Sequence, residues 1–153
     1  MDFQLVPMDK SHLSQVAQLE RENFSRPWSR DSLESELYNT TVSMIVAESE
    51  DGGVLGYGVL GVVLDEGCLE KICVQPHLRR QGIASAILRA FLRYGQANLA
   101  FLTLEVRQSN APAIALYQKL GFQEVGRRKN YYQDPREDAV LMTAEFSHEA
   151  GTP

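Results

Sequence analysis

The sequence predicts a mixed α/β fold, in which helices flank a mainly antiparallel sheet of six to seven strands. Short apolar segments that alternate with polar residues indicate strands, and turn residues such as Asp51–Gly53 separate them. Ile83, Ile87 and Phe91 recur every four residues, which is typical of an amphipathic helix. About four helices are expected in total.

Each element is predicted from its own periodicity and end signals. Pro7 ends the first strand, Ser29 caps the second helix, Pro112 lies in the first turn of the last helix and Gly121 ends it. The expected strands are 3–6, 44–48, 54–64, 68–74, 101–106, 122–125 and 139–146, and the expected helices begin near residues 11, 29, 83 and 110. Glycines in the third strand, Gly56 among them, predict a bulge or close packing. The polar segment 126–138 is expected to connect the last two strands.

Length and composition predict one domain. A chain of 153 residues with 44% apolar and 23% charged residues suits a single core over residues 1–146, followed by a frayed tail at 147–153. No apolar run is long enough to cross a membrane, and the first residues lack the pattern of a signal peptide. Cys68 and Cys73 would face opposite sides of one strand and cannot bridge, so we expect a cytoplasmic protein. The three histidines match no metal-ligand spacing, and no metal is expected.

A strand, a tight loop and a helix surround residues Arg79–Ala84. The free N–H groups at the start of a helix favour an anion, and two arginines stand beside them. No Asp or Glu occurs between Gln75 and Leu104, whereas four arginines do, so this window carries +4 in a chain of net charge −5, and the remainder carries −9. The charges indicate a local anionic ligand and not a nucleic-acid surface. Ordinary surface arginines on a solvated helix remain the alternative.

Further segments strengthen this interpretation. Arg79-x-x-Gly82-x-Ala84 is followed by a helix, a strand and the stretch from Asn110 to Phe122, an order that resembles the GNAT superfamily of acyl-CoA-dependent N-acetyltransferases. The resemblance is closer to one branch, the alanine N-acetyltransferases of ribosomal proteins of the RimI type. Its segments span residues 3 to 146 and include 24–29, 104–107, 109–110, 130–132 and 136–138. Ala84 departs from the glycine of many members.

The resemblance implies acetyl-CoA as cosubstrate and a sheet whose strands ending near Val74 and Val106 splay apart. The loop backbone would hold the coenzyme diphosphate, the backbone before it the acetyl and pantetheine groups, and Asn110 the pantetheine, although Asn110 also suits a helix cap. The implied cofactor-binding residues are Ile72, Cys73, Val74, Arg79, Arg80, Gln81, Gly82, Ile83, Ala84, Ser85 and Asn110.

Two side chains are predicted to be catalytic. Glu105 lies on the strand face opposite Leu104 and Val106, and the resemblance makes it the base, acting directly or through a water. The alternative is a surface glutamate that is simply exposed or is paired with Arg107. Tyr117 would face the coenzyme sulfur, and its phenol, of ordinary pKa near 10 against about 8.5 for a thiol, would supply the proton to the departing thiolate. A core tyrosine is the alternative. Cys73 is expected to be a buried, inert thiol.

The substrate side is less defined by the sequence. A free α-amine (pKa near 8) costs about 3.3 kcal/mol less to deprotonate than lysine, which favours an N-terminal amine. The resemblance implies the N-terminal alanine of small-subunit ribosomal protein eighteen, bound by Trp28, Asn130, Tyr131 and Tyr132. Trp28 could instead anchor the core, and only one of the two tyrosines is expected to line the cleft. Small-molecule or lysine amines, and a non-catalytic acyl-CoA-binding module, remain open. No membrane or direct nucleic-acid partner is expected, and a monomer is favoured.

Overall fold

The computed structural model describes residues 2–147 and contains seven strands and four α-helices in this range. The predicted tail, beyond Ser147, lies outside the described residues. The strands are β1 Phe3–Pro7, β2 Val42–Ser49, β3 Val54–Val63, β4 Glu66–Val74, β5 Phe101–Arg107, β6 Gln123–Tyr132 and β7 Glu137–Glu145. The helices are α1 Leu13–Asn23, α2 Arg30–Leu37, α3 Ile83–Asn98 and α4 Ala111–Lys119, and 3-10 turns occupy Lys10–His12 and Pro76–Leu78.

The strands follow the order β1-β2-β3-β4-β5-β7-β6. Four strand pairs are antiparallel: β1–β2, β2–β3, β5–β7 and β6–β7. β4 and β5 are parallel, and their ladder runs only from Glu66 opposite Phe101 to Cys68 opposite Thr103. The predicted fold class is confirmed, and the short ladder agrees with the divergence that the resemblance implies.

Contacts group the chain into two compact units. One contains the residues up to Gly61 together with Glu70–Ala90, and the other contains Val62–Leu69 and the residues from Phe91 onward. The chain passes from one unit to the other within β3, β4 and α3. In the first unit, α1 buries Leu13, Val16 and Ala17 in an apolar cluster with residues of β2 and β3. The single-domain assignment stays a prediction.

β6 is longer than the sequence predicts. It continues from the predicted 122–125 through Arg127, Arg128 and Lys129 to Tyr132, and β7 begins at Glu137, so the expected connection over 126–138 shrinks to a turn. The strand pairs with β7 on one side only and is exposed along nearly its whole length. Because neither face is apolar, the strand lacks the alternation by which a sequence reveals one.

Gly56 in β3 shows both of the features predicted for this strand, a bulge and close packing. Opposite Ala47 and Glu48 the register shifts, with Leu55 as the extra residue of the bulge. A Cβ atom on Gly56 would lie 2.8 Å from the carbonyl oxygen of Cys73, closer than real Cβ contacts allow. The glycine therefore lets β3 pack directly against the main chain of β4 beside the predicted acetyl-binding residues.

Candidate active site

The loop before α3 has an irregular main chain that the sequence dictates. The amide of Gln75 donates to the carbonyl of Leu55 at 2.9 Å, and a 3-10 turn follows. Arg80 and Gly82 then adopt φ values of 68° and 83°. Left-handed residues between right-handed or extended ones turn successive N–H groups toward one side, which produces a concave anion-binding turn.

The first turn of α3 completes this anion site. The first helical hydrogen bond is donated by Ala86 to the carbonyl of Gly82 at 2.9 Å. The amides of Ile83, Ala84 and Ser85 therefore have no acceptor within the helix, and they lie at its positive end. Arg79, Arg80 and Gln81 are exposed in the loop. The residues present fit a diphosphate group.

We expect Gly82→Ala to raise the KM for acetyl-CoA about fivefold, because an L-residue at this φ costs about 1 kcal/mol, which the loop relieves by moving. A Cβ atom there meets nothing within 4 Å, so the effect comes from the main chain and not from a clash. Gly52→Ala is the matched control, since Gly52 has a φ of 87° and the same free space in the β2–β3 turn. Steady-state kinetics with both variants check this; an equal change in both would contradict it.

Cys73 lies in β4 with its side chain buried, whereas Cys68 on the other face is exposed. Burial, followed by the nearby Glu20 carboxylate, raises the pKa of the Cys73 thiol to about 11. A thiol that stays protonated at neutral pH is a poor nucleophile. This supports the expected inert thiol. The roles of the Ile72, Cys73 and Val74 main chain stay predictions.

Glu105 lies in β5 opposite Leu141 of β7, on the predicted face of the strand, while its neighbours Leu104 and Val106 are buried. Its side chain is 31% exposed, and its Oε1 atom lies 3.9 Å from the guanidinium of Arg128. The pKa of Tyr131 is raised, chiefly by its interaction with the same carboxylate. Arg107, the partner in the alternative interpretation, instead pairs with Glu137 at 3.1 Å, and the role of Glu105 as base stays a prediction.

Tyr117 lies in α4, is 7% exposed and packs edge-on against Phe122, with ring centroids 5.7 Å apart. Burial raises the pKa of its phenol to about 12. Its hydroxyl makes no hydrogen bond within residues 2–147, and no side-chain polar atom in that range is fully enclosed without a partner. The oxygen of Tyr117 therefore keeps contact with solvent, and its role as the acid stays a prediction.

Electrostatic coupling places four of these groups together in the second unit. Burial raises the pKa of Tyr132 to about 12, and the charges of Glu105, Tyr131 and Tyr117 also act on its phenol. The rings of Tyr131 and Tyr132 meet edge-on at 5.1 Å, and the guanidinium of Arg107 lies 4.5 Å from the Tyr132 ring. The predicted base and the predicted acid thus both lie within electrostatic range of the candidate peptide-binding tyrosines.

Arg107 and Glu137 anchor the turn that follows these tyrosines. Arg107 donates to the carbonyls of Gln133 and Pro135 at 2.8 and 2.9 Å, and Glu137 accepts from the amide and hydroxyl of Ser109. These side chains therefore connect the start of α4 to the β6–β7 turn. The resemblance included them in its matching segments but assigned them no role.

The two predicted asparagines have main-chain roles. The Oδ1 atom of Asn110 accepts from the amide of Ala113 at 3.3 Å, which is the helix-cap alternative. Asn130 adopts a φ of 54°, and its amide donates to Asp138 at 2.9 Å. Their contacts with coenzyme or peptide stay predictions.

Trp28 is half-buried in the first unit, and its indole faces the ammonium of Lys71 at 4.2 Å. The structure therefore gives Trp28 a packing role, and its peptide contact stays a prediction. The sequence analysis missed Arg128, Lys71 and Glu20. Lys71 carried a signal, because it falls in the same alternation as the buried Gly67, Leu69 and Cys73. No group of metal-ligating side chains occurs in the described part of the chain.

The Acetyltransferase (GNAT) family model matches residues 13–122. The chain belongs to this family and is an acetyl-CoA-dependent N-acetyltransferase. The [ribosomal protein bS18]-alanine N-acetyltransferase of Escherichia coli K12 is 35% identical over 143 residues, covering 92% of this chain and 95% of the relative. That of Haemophilus ducreyi is 36% identical over 121 residues, covering 76% and 81%.

A solved structure agrees with these relatives. The crystal structure of the ribosomal-protein-S18-alanine N-acetyltransferase from Escherichia coli superposes with a TM-score of 0.86 at 33% identity and covers 96% of each chain. The predicted family, branch and enzyme class are thereby confirmed. No helix among residues 2–147 is long and apolar enough to cross a membrane.

Proposed function

We propose that this chain transfers an acetyl group from acetyl-CoA to the N-terminal alanine of ribosomal protein bS18, and to other N-termini of similar chemistry. The observation that carries the proposal is the position of Glu105 on β5, 3.9 Å from Arg128 and in the same unit as the paired rings of Tyr131 and Tyr132 and the buried Tyr117, which combines a carboxylate base with phenol donors. The names of the relatives support the substrate. A cytoplasmic location follows from a ribosomal substrate and is part of the proposal.

The residues of the chain divide the work. The first-turn amides of α3, with Arg79 and Arg80, would hold the coenzyme diphosphate. Acetyl-CoA supplies an acetyl thioester. Glu105 would take the proton from the substrate ammonium, directly or through a water, and Tyr117 would direct its phenol hydrogen toward the departing thiolate.

An N-terminal amine suits this site better than a lysine side chain. At neutral pH an α-ammonium, of pKa near 8, loses its proton at a cost about 3.3 kcal/mol lower than a lysine ammonium does. The base in the site is a single carboxylate, and carboxylates are weak bases compared with amines. Such a base is sufficient for the more acidic of the two amines.

Peptide acetylation tests the proposal. A peptide with the first residues of bS18 and a free N-terminal alanine should gain one acetyl group in the presence of acetyl-CoA, with the group placed on the α-nitrogen by tandem mass spectrometry. The matched control is the same peptide already blocked at its N-terminus but carrying an internal lysine, which should gain none. Turnover of polyamines or of the blocked peptide, with none of the free peptide, would contradict the proposal.

A further inference from the structure

An ion pair between Arg107 and Glu137 joins the end of β5 to the start of β7. The Nη1 atom of Arg107 lies 3.1 Å from the Glu137 carboxylate, and the two side chains are only 30% and 16% exposed. Both residues, and the residues that they contact, belong to the second unit. The pair is therefore part of one compact body, and solvent reaches it only in part.

Glu137 fixes the short connection from β5 to α4. Its carboxylate accepts from the amide of Ser109 at 2.8 Å and from the hydroxyl of the same residue at 3.0 Å. The bond from the Ser109 amide is the chief reason why the pKa of Glu137 lies below its ordinary value. Asn110 caps α4, and the helix begins two residues after Ser109. The carboxylate therefore fixes the place where α4 starts, and its negative charge suits the positive end of the helix.

Tyr117 takes its position from this helix start. α4 is nine residues long, and Tyr117 is its seventh residue. The phenol is thus less than two turns from Ala111, at the regular rise and rotation of a helix. A shift of the first turn of α4 therefore also moves the phenol of Tyr117.

Arg107 holds the end of β6 and the turn that follows it. Its guanidinium donates to the carbonyls of Gln133 and Pro135 at 2.8 and 2.9 Å, and it lies 4.5 Å from the ring of Tyr132. The planar fork of an arginine fixes several acceptors at once, which a lysine ammonium cannot do in the same geometry. Tyr132 in turn lies within electrostatic range of Glu105. Arg107 therefore holds an aromatic ring beside the predicted base.

Glu137 connects these two attachments to each other. Its Oε1 atom accepts from the Ser109 amide, whereas its Oε2 atom accepts from Arg107 at 3.1 Å. Ion pairs that solvent reaches contribute little to stability, so the main contribution of this pair is geometric. A continuous chain of contacts runs from the start of α4, through the two charged side chains, to Tyr132.

We propose that Arg107 and Glu137 are positioning residues for acetyl transfer, which set the places of the Tyr117 phenol and of Tyr132 beside Glu105. This inference rests on the proposed function, in which Glu105 is the base and Tyr117 the acid. A misplacement of about 1 Å in a reacting group can cost a factor of about a hundred in rate. Loosening the pair should therefore slow the transfer without weakening the binding of acetyl-CoA.

A double-mutant cycle tests whether Glu137 acts through Tyr117. Glu137→Gln keeps the size of the side chain but replaces one acceptor oxygen by an amide donor, and it removes the charge that Arg107 binds. We expect it to lower kcat about tenfold, with the KM for acetyl-CoA unchanged. In a chain that already carries Tyr117→Phe, the same change should lower kcat at most about twofold, because no phenol is left to misplace.

Glu124→Gln is the matched control for the cycle. Glu124 also lies in the second unit, and its carboxylate is 3.0 Å from the guanidinium of Arg127, but this ion pair joins two residues of one strand. Its loss should leave kcat unchanged, both in the otherwise unmodified chain and in the chain that carries Tyr117→Phe.

Fluorine NMR reports the positions of the tyrosines without turnover. The six tyrosines of the sequence are replaced by 3-fluorotyrosine, and each resonance is assigned by its absence from a Tyr→Phe variant. Glu137→Gln should shift or broaden the resonance of Tyr117. Arg107→Lys, which keeps the positive charge but not the fork, should shift that of Tyr132. The resonance of the exposed Tyr94 on α3 should stay unchanged in both.

The inference is overturned if the losses of kcat multiply in the double variant, or if Tyr117 and Tyr132 keep their resonances. An equal loss in both backgrounds together with a lower melting temperature would assign the pair to stability alone. The proposed function fails separately, if the unmodified chain acetylates no N-terminal peptide or if Tyr117→Phe keeps the full kcat. The fluorine spectra would still decide whether the pair holds the two tyrosines.

Discussion

Tyr117→Phe should lower kcat about a hundredfold, the usual effect of removing one donor from a site where negative charge develops. The KM for either substrate should change little, because the phenol is directed at a charge that exists only as the thiolate departs. The melting temperature should also stay near that of the unmodified chain. The Tyr117 hydroxyl has no hydrogen bond within the described residues, so its removal leaves no partner unsatisfied.

The raised pKa of Tyr117 defines how its phenol acts. At a pKa of about 12, full proton transfer to a thiolate whose thiol has a pKa near 8.5 is uphill by about 5 kcal/mol. Tyr117 is therefore better suited to stabilise the thiolate by a hydrogen bond than to give up its proton entirely. It also stays protonated well above neutral pH, so its ionisation should cause no loss of rate up to about pH 10.

Tyr94→Phe is the control, because Tyr94 lies on α3 with 47% of its surface exposed and should tolerate the change without loss of kcat. Pre-steady-state measurement of acetyl transfer separates chemistry from product release. If Tyr117→Phe keeps the kcat of the unmodified chain, or loses rate only in proportion to a loss of folded protein, Tyr117 is a core residue and not part of the chemistry.

The sequence contained most of the fold because most elements bury one face. The alternation of Leu102, Leu104 and Val106 predicted β5 and placed Glu105 on its opposite face, where it lies. Arg79, Gly82 and the apolar repeat of α3 predicted a loop that ends in a helix N-terminus, and the left-handed φ of Gly82 is the feature that required a glycine. Local chemistry was sufficient in both cases.

The sequence could not predict which strands and which side chains pair with each other. β6 owes its structure to main-chain hydrogen bonds with β7, and its polar side chains do not indicate them. The pairing register of β6 with β7 brings Arg128 and Tyr131 close to Glu105, and no periodicity in the sequence predicts that register. Glu20 and Lys71 are 51 residues apart, and each alone resembles an ordinary surface charge until the fold places it in the core.

Glu105→Gln should lower kcat/KM for an N-terminal alanine peptide at pH 7 by a factor of about ten, because glutamine cannot accept the proton of the substrate ammonium and only the roughly one tenth of the peptide that is already neutral can react. The structural cost should be small. Glu105 and Arg128 are 31% and 58% exposed and 3.9 Å apart, and ion pairs of this kind contribute little to stability.

The loss of kcat/KM in Glu105→Gln should depend on pH. Without a base, only the fraction of peptide that has already lost its proton can react, and this fraction rises with pH until the α-amine is deprotonated above about pH 8. The deficit of Glu105→Gln should therefore be largest at low pH and shrink as the pH rises, which a profile of kcat/KM for both enzymes measures directly.

Glu124→Gln is the matched control for Glu105→Gln. Glu124 is also a half-exposed glutamate, on β6 instead of β5, and its carboxylate lies 3.0 Å from the guanidinium of Arg127. Loss of a surface ion pair alone would affect both variants alike, whereas loss of a base affects only Glu105→Gln. A deficit that stays constant from pH 6 to about pH 9 would mean that Glu105 orients the peptide and that the proton leaves by another route, because a missing base must matter less once the amine is free.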